Sequence, residues 1–420
     1  MTSNKEPVTS DQQQGTSDQQ QGTSDQHPDS QLSKRIKRHV IGRRRTYFVA
    51  TAPGFENLCY SELTNLGLSK ENVSVIEGGV EFKGKLQDCW QANLHLRTAG
   101  RVLLRIDSFK ATGFRQLEKK VAGIPWELYL PPMVLPKVHA TTRHCRLHHT
   151  EAIYQRFIAG ISTRNWGDDV AKEGKKETST ELTLFVRGVD DRFTVSIDSS
   201  GNHLHKRGLK THYGEAPIRE TVAAAALLLI GYTGKEPLVD PMCGTGTFSI
   251  EAAMMSKDIA PGWFREFAFS HWPSFSQKRW EYLKRQIENR IINSPRPMIF
   301  ASDQDISACS RLEKCIRQNQ LSDIMSVSRK NFFEFHPEEV ADTKGILVIN
   351  PPYGKRLGNL KKSQTLFDEI CDRLIHAYKG WKVVLVAPDR KLTGKMPFSL
   401  ESFPFFHGGL NPALLYGTIS

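Results

Sequence analysis

The sequence predicts two folds in tandem: a small α+β region in front and an open α/β sheet of parallel strands behind it. Three observations carry this. Before residue 200, short strand-like and helix-like segments alternate with turn signals such as Gly78-Gly79 and Val189-Asp190-Asp191, which suits an antiparallel sheet. From Pro237 onward, short apolar runs alternate with helical patterns in the βαβ style. Finally, the apolar run Ile346–Ile349 ends abruptly in Asn350-Pro351-Pro352-Tyr353-Gly354. Two consecutive prolines cannot continue a ladder or a helix interior, so a buried strand there gives way to a stiff loop.

The 420 residues leave room for two or three domains. No run of about 18 apolar residues appears, so no membrane span is expected, and the N-terminus lacks the apolar segment of a secretory signal. Seven cysteines are scattered without a CxxC pair. That argues for a reducing compartment, the cytoplasm, and against both a disulfide framework and a zinc site. The net charge is +12, and residues 41–150 hold sixteen Lys/Arg against nine Asp/Glu. A surplus concentrated in one region favours a polyanionic partner, most simply nucleic acid; a basic surface with no partner is the alternative.

Residues 9–26 repeat TSDQQQG without apolar positions, so residues 1–45 are expected to be a disordered tail ending in the basic run Lys34–Arg45. Residues 46–111 read as strand (47–51), helix (55–66), a strand pair (73–82), helix (86–98) and strand (102–109). Residues 112–200 repeat the style, with helices at 114–122 and 150–161 and strands at 137–141, 181–187 and 192–198. Between strand and helix lies Arg143-His144-Cys145-Arg146-Leu147-His148-His149. The histidine spacing fits neither a CxxC-type nor an HExxH metal site. Arg143, Arg146 and His148 at a helix start suit a phosphate, and a structural capping role is the alternative. A second basic stretch, Asn202–Tyr213, contains Lys206, Arg207 and Lys210 and reads as a linker (201–215) lying along a nucleic acid.

In the rear half (216–420), a helix runs from Pro217 to Ile230, and the first strand ends at Asp240-Pro241-Met242-Cys243-Gly244-Thr245-Gly246. Its glycines let the backbone approach a ligand where strand meets helix. A dinucleotide fingerprint would need a third glycine where Ser249 stands, and an acid about 20 residues later; the next strand-end acid, Asp303, lies much farther on. An insertion (257–296) rich in aromatics either covers the site or forms a local core. The next strand, 298–303, ends at Asp303, an acid placed to accept both hydroxyls of a ribose or to cap the helix that follows, as Asp305 also can. A third strand (327–333) brings Asn331 to its end, then come the strand 346–349, a helix (363–378), the strand 382–388 and a closing strand pair turned at Gly408-Gly409.

The Asn350–Tyr353 loop is the most chemically specific feature. An amide oxygen and a backbone carbonyl on a rigid turn can accept both hydrogens of an –NH2 group while a ring stacks on the attached base. That arrangement suits methyl transfer to an exocyclic amine; a proline-rich turn with a packed Tyr353 is the alternative.

With DPMCGTGTFSIEAA (240–253), Asp303 and NPPYGKRL (350–357) in order, the rear half resembles the Rossmann-like S-adenosylmethionine-dependent methyltransferases. The additional wordings HKRGLK (205–210), APIRET (216–221) and TTRHCRLHHTEAI (141–153) resemble THUMP-containing guanine-N2 RNA methyltransferases. The bacterial large-subunit (23S) ribosomal RNA type is the nearest, either free-standing or as the N-terminal module of a longer fusion. The resemblance covers residues 46–420. It implies a ferredoxin-like subdomain at 46–111, a THUMP-like RNA-binding domain at 112–200, and S-adenosyl-L-methionine as cofactor. Asp240, Pro241, Cys243, Gly244 and Gly246 would hold the cofactor's amino-acid and sulfonium part, Asp303 its ribose and Asn331 its adenine. The family usually has Asp at that last position, and Phe332 or Glu334 would share the role. Asn350, Pro351, Pro352 and Tyr353 would be catalytic, with Asp305 a candidate proton acceptor and no metal required. The RNA would be ribosomal or, alternatively, transfer RNA. A non-catalytic RNA-binding or assembly factor is the reading that Asn331 favours.

Overall fold

The computed structural model describes residues 28–170, 178–210, 218–352, 360–387, 396, 398–405 and 412–420. Two seven-stranded sheets organise them. The first contains β1 (Arg45–Thr51), β2 (Val73–Ile76), β3 (Gly79–Gly84), β4 (Ala99–Lys110), β5 (Leu135–Arg143), β6 (Thr178–Val189) and β7 (Arg192–Asp198), in the order β2-β3-β1-β4-β7-β6-β5. Its pairings are antiparallel except β5 with β6. The stretches 46–111 and 112–200 therefore share one sheet, joined through the β4–β7 ladder.

Alternation along the strands separates the two faces. Val49, Phe82, Leu104, Leu184 and Val195 point into a core. They meet Cys59 and Leu63 of α2 (Glu56–Asn65), Trp90 of α3 (Leu86–His95), Leu117 and Val121 of α4 (Phe114–Ala122), and Phe157 of α5 (Thr150–Val170). The helices thus cover one face.

The expectation of a disordered tail through residue 45 is corrected over residues 28–45. Residues Pro28–Ile36 form helix α1, continued by a π-helical turn, Lys37–Ile41. Leu32, Ile36 and Val40 are four residues apart and make an apolar stripe among the basic residues; Ile36 and Val40 are buried in the front core. The TSDQQQG repeats lie outside the described residues.

The second sheet is made of β8 (Leu238–Asp240), β9 (Ile299–Asp303), β10 (Met325–Arg329), β11 (Ile346–Ile349), β12 (Lys382–Ala387), β13 (Glu401–Pro404) and β14 (Ala413–Thr418), in the order β10-β9-β8-β11-β12-β14-β13. The first five are parallel; β14 runs antiparallel to β12 and β13. β11 is buried along its whole length, as a central strand covered on both faces must be. Ile346 and Val348 face one core with the alanine-rich α6 (Glu220–Leu229), α7 (Thr247–Ser256) and α9 (Ile306–Gln318). Leu347 and Ile349 face another with α10 (Leu360–Ala377). The strand expected to reach Asn331 stops at Arg329. Asn331 instead accepts a hydrogen bond from the Phe333 amide at 3.2 Å and so starts a short 3-10 turn. The closing strand pair is present, while Gly408-Gly409 lie outside the described residues.

The insertion does form a core, but that of the front half. Phe267, Phe269, Trp272 and, from α8 (Gln277–Glu288), Leu283 and Ile287 are buried with the first sheet's side chains. Trp90 stacks on Phe269 with centroids 5.6 Å apart and meets Trp280 edge-on at 6.0 Å. Each such side chain buried contributes roughly 1.5–3 kcal/mol, so the seam between the halves is as apolar as either interior.

Candidate active site

In the second sheet β8 lies between β9 and β11, so the strand order reverses beside it, and the crevice at the strands' carboxyl ends is where open α/β sheets bind ligands. A cavity of about 600 Å³ occupies that place. Asp240, Pro241, Cys243 and Gly244 line it from the turn after β8, Asp303 from the end of β9, Asn331 from beyond β10, and Asn350 and Pro352 from the loop after β11. Pro351 is buried between the last two, and Tyr353 lies outside the described residues. Four strand ends far apart in sequence thus converge on one space.

The turn after β8 is held by its neighbours. The Gly244 amide donates to Asp303 Oδ2 at 2.9 Å, and the Asp305 amide donates to Asp303 Oδ1 at 2.9 Å. Asp303 therefore fixes two loops and keeps a lone pair free on each oxygen. Asp305 accepts from the Ser307 amide at 2.8 Å and caps α9, the capping role open to it from the sequence, while still lining the cavity. Gly244 is left-handed (φ +51°), with nothing within 4 Å of where a Cβ would stand. Gly246 lies behind the cavity at the start of α7, at φ +70°, and a Cβ there would overlap the Leu312 side chain. Gly246→Ala should lower stability by about 2–4 kcal/mol, the sum of left-handed strain and overpacking. A urea denaturation midpoint equal to wild type would contradict this.

Asp240 is completely enclosed. Its Oδ2 accepts from Ser249 Oγ at 2.6 Å, and its Oδ1 has no hydrogen-bond partner among the described residues. Burial, with the charge of Asp303 adding to it, pushes this carboxyl up to about 7, against the pull of the Ser249 hydrogen bond. Cys243 is buried beside it, and burial first, then both carboxylates, pushes its thiol well above the ordinary range. A thiol in that state is neutral packing for the turn, not a nucleophile.

The basic residues singled out from the sequence divide. Arg143, Arg146 and His148 are exposed together where β5 leads into α5. Arg143 lies 3.6 Å from Glu77 and Arg146 3.7 Å from Asp191, while His148 Nδ1 is 3.1 Å from the Arg146 carbonyl. Lys206 is also exposed. Arg207 and Lys210 are not available to a phosphate, and their expected role is corrected. Arg207 is 3% exposed; its Nε donates to Glu251 Oε1 at 2.8 Å and its other nitrogens to the carbonyls of Leu204 (2.8 Å) and Arg97 (2.7 Å). Lys210 donates to Thr247 Oγ1 at 2.7 Å and sits 3.6 Å from Glu220. Burial pulls the Lys210 ammonium below, and the Glu220 carboxyl above, its usual range.

The linker is drawn inward because Leu204 and Leu209 are buried and two acids stand inside apolar helices. A buried carboxylate needs a counter-ion. The signal was present: Glu220 precedes TVAAAALLLI, and Glu251 interrupts TFSIEAAMM. Arg265 from the insertion donates to the carbonyls of Asn202 (2.6 Å), His203 (2.7 Å) and Ser200 (3.0 Å) and closes the other side of the linker.

Comparison with known proteins bears on the fold and the family. Residues 207–401 match the family model described as "RMKL-like, methyltransferase domain", and residues 46–103 match that of the "RlmL ferredoxin-like domain". A protein of Synechocystis named "Putative RNA methyltransferase slr0064" is 30% identical over 88% of this chain and 96% of its own length. "Ribosomal RNA large subunit methyltransferase K/L" of Psychromonas ingrahamii is 32% identical over 88% of this chain, which spans only 49% of that relative's length. Among solved structures, the one titled "Crystal structure of SMU.472, a putative methyltransferase complexed with SAH" superposes with a TM-score of 0.79 at 28% identity, over 90% of this chain and 99% of its own. Among the described residues, no helix is long and apolar enough to cross a membrane. The fold is an α/β methyltransferase domain preceded by a ferredoxin-like region, and the chain belongs to the RMKL-like methyltransferase family.

Proposed function

We propose that the chain transfers a methyl group from S-adenosyl-L-methionine to the exocyclic N2 amine of a guanine in RNA, with large-subunit ribosomal RNA as the substrate. The observation that carries this is the meeting of Asn350 and Pro352 with the Asp240–Thr245 turn and Asp303 around one cavity. The residues present fit the cofactor. Asp240 Oδ1 is a buried acceptor with no partner among the described residues, suited to an ammonium group; Asp303 keeps acceptor capacity for ribose hydroxyls; Phe332 and Phe333 offer apolar surface beside Asn331 for a base. When bound, the cofactor supplies an electrophilic methyl group.

The chain's own contribution is alignment and electrostatics. A guanine N2 amine is a weak nucleophile because its lone pair is delocalised into the ring. The Asn350 side-chain oxygen and the Pro351 carbonyl would accept its two hydrogens, favour a pyramidal nitrogen and aim the lone pair at the methyl. Tyr353 would stack on the extruded base, worth on the order of 1–3 kcal/mol. The names of the relatives support RNA, and large-subunit ribosomal RNA in particular.

The test is incubation with labelled cofactor and unmodified large-subunit ribosomal RNA, then digestion and identification of the labelled nucleoside. N2-methylguanosine supports the reading. Label only in transfer RNA moves the substrate, and label only on adenine, DNA or protein removes the assignment.

Asp240 makes the cofactor step pH-dependent. Its folded pKa of about 7 lies above the ordinary value of about 3.9, so the ligand-free fold holds a proton that the unfolded chain releases. Stability from this group is therefore full below about pH 4, falls as pH rises to about 7, and then levels. An ammonium partner needs the ionised form, so cofactor affinity should strengthen as pH rises through about 7. Calorimetric titrations on either side of that pH, on wild type and Asp240→Asn, measure it. The variant should bind more weakly and lose the dependence; a parallel pH response in both proteins rules Asp240 out as its source.

A further inference from the structure

The face of the first sheet that carries no helix holds a cationic trough distinct from the cofactor cavity. Two adjoining cavities of about 470 and 480 Å³ share Arg105 and Thr194. The first is lined by Arg105, Lys110, Arg187 and Arg192, with Asp190 as its one lining acid. The second adds Arg43, Arg44 and Arg45 against Glu81 and Asp107. Seven cations thus line the two cavities against three acids; of these, Arg105 is paired with Glu81 at 3.0 Å and Arg45 donates to the buried Tyr129 hydroxyl at 2.9 Å. Lys110, Arg187 and Arg192 are exposed, although Glu77 approaches Arg187 at 3.4 Å.

A backbone irregularity builds this face. Arg105 and Lys110 are five residues apart, which in a regular strand puts them on opposite sides. The β4–β7 register shifts between Arg105 and Asp107: Arg105 pairs with Ser196, Ser108 with Thr194 and Lys110 with Arg192. The extra residue restores Lys110 to the face of Arg105 and returns Phe109 to the core, where it stacks on Phe193 at 6.5 Å. Aromatic rings lie among the charges: Arg105 sits 4.5 Å over Phe48, and Phe185 stacks on His139 at 5.4 Å.

The trough also leads toward the cofactor. Arg101, paired with Asp198, lies on the same face of β4, nine residues before Lys110 and so about 30 Å away along the strand. The linker comes back beside Gly100, whose carbonyl accepts from the Leu204 amide at 2.9 Å, and carries the exposed His203 and Lys206; Arg219, also exposed, is next in sequence to Ile218, which lines the cofactor cavity.

We propose that this sheet face is where the RNA backbone docks, its phosphates in the Arg105–Lys110–Arg187–Arg192 trough, so that the strand passes Arg101 toward Asn350. The inference rests on the RNA reading above and assigns its grip to strand residues outside the two basic stretches picked from the sequence. The experiment compares wild type with the triple variant Lys110→Gln, Arg187→Gln, Arg192→Gln and with an equal-charge control, Lys70→Gln, Lys278→Gln, Lys379→Gln, altering exposed lysines on other elements. Binding of an unmodified large-subunit ribosomal RNA transcript is followed by fluorescence anisotropy across a salt series. Taking one cation away from a bound phosphate flattens the log affinity–log salt slope by about 0.7–0.9. The trough variant should therefore lose about 2–3 from its slope and at least about tenfold in affinity, with cofactor affinity unchanged, while the control stays near wild type. Equal RNA binding by all three proteins, or equal losses in trough variant and control, overturns the trough. Tighter wild-type binding to duplex DNA than to RNA overturns RNA as its occupant. Methylation of RNA with unchanged binding by the trough variant leaves the function standing and removes only this inference.

Discussion

Replacing Asn350 by Ala is expected to lower turnover by about 10²–10³-fold, the usual cost of removing one preorganised hydrogen-bonding group from a reacting centre. The fold should survive, because Asn350 is a half-buried residue of a loop beyond β11 and the strand's own apolar residues hold the core. Cofactor affinity should change little, since the Asp240 turn and Asp303 hold each other without it. Asn350→Asp keeps an acceptor at the same place and should retain more turnover than Ala. Single-turnover methylation with calorimetric cofactor titration separates these effects. Full turnover in the Ala variant, or equal losses in cofactor affinity and rate, removes Asn350 from the amine-holding role.

The second large effect belongs to Arg207→Ala. It strips Glu251, which is 0% exposed, of its 2.8 Å partner and leaves, among the described residues, the Arg97 ion pair at 3.5 Å. Breaking a buried pair from one side typically costs about 3–5 kcal/mol, much of it the uncompensated charge left behind. The loss should reach both halves, because Arg207 also holds the Arg97 carbonyl in the front half while Glu251 lies on α7 of the rear half. Replacing the pair together, Arg207→Met with Glu251→Leu, should recover most of the stability. Urea unfolding monitored by tryptophan fluorescence tests it; a single variant as stable as wild type sinks the claim.

How much was legible depends on whether a signal was local. The Asn350 loop and the Asp240 turn could be read because Pro and Gly punctuate strand ends within a few residues. Their convergence followed from the parallel order, since βαβ units bring every strand's carboxyl end to one edge. The direction of a basic side chain is not local. Lys206, Arg207 and Lys210 share one stretch, yet Lys206 faces solvent and the other two face acids from distant helices. The trough was hidden for a related reason: strict alternation in RVLLRIDSFK sends Arg105 and Lys110 to opposite faces, and only the pairing with β7 reveals the extra residue. In Lys34–Arg45 the dense charge masks Ile36 and Val40, whose helical spacing carries them into the front core.

The aromatic seam sets a rule for recombining this chain with others. Phe267, Phe269, Trp272 and Trp280 are encoded within the catalytic half but complete the interior of the front half. A chimera spliced in the linker would separate these side chains from Trp90 and expose both surfaces. A working exchange of the front half must therefore transplant the stretch from Phe267 to Ile287 along with it, so the inheritable module here is discontinuous in the gene.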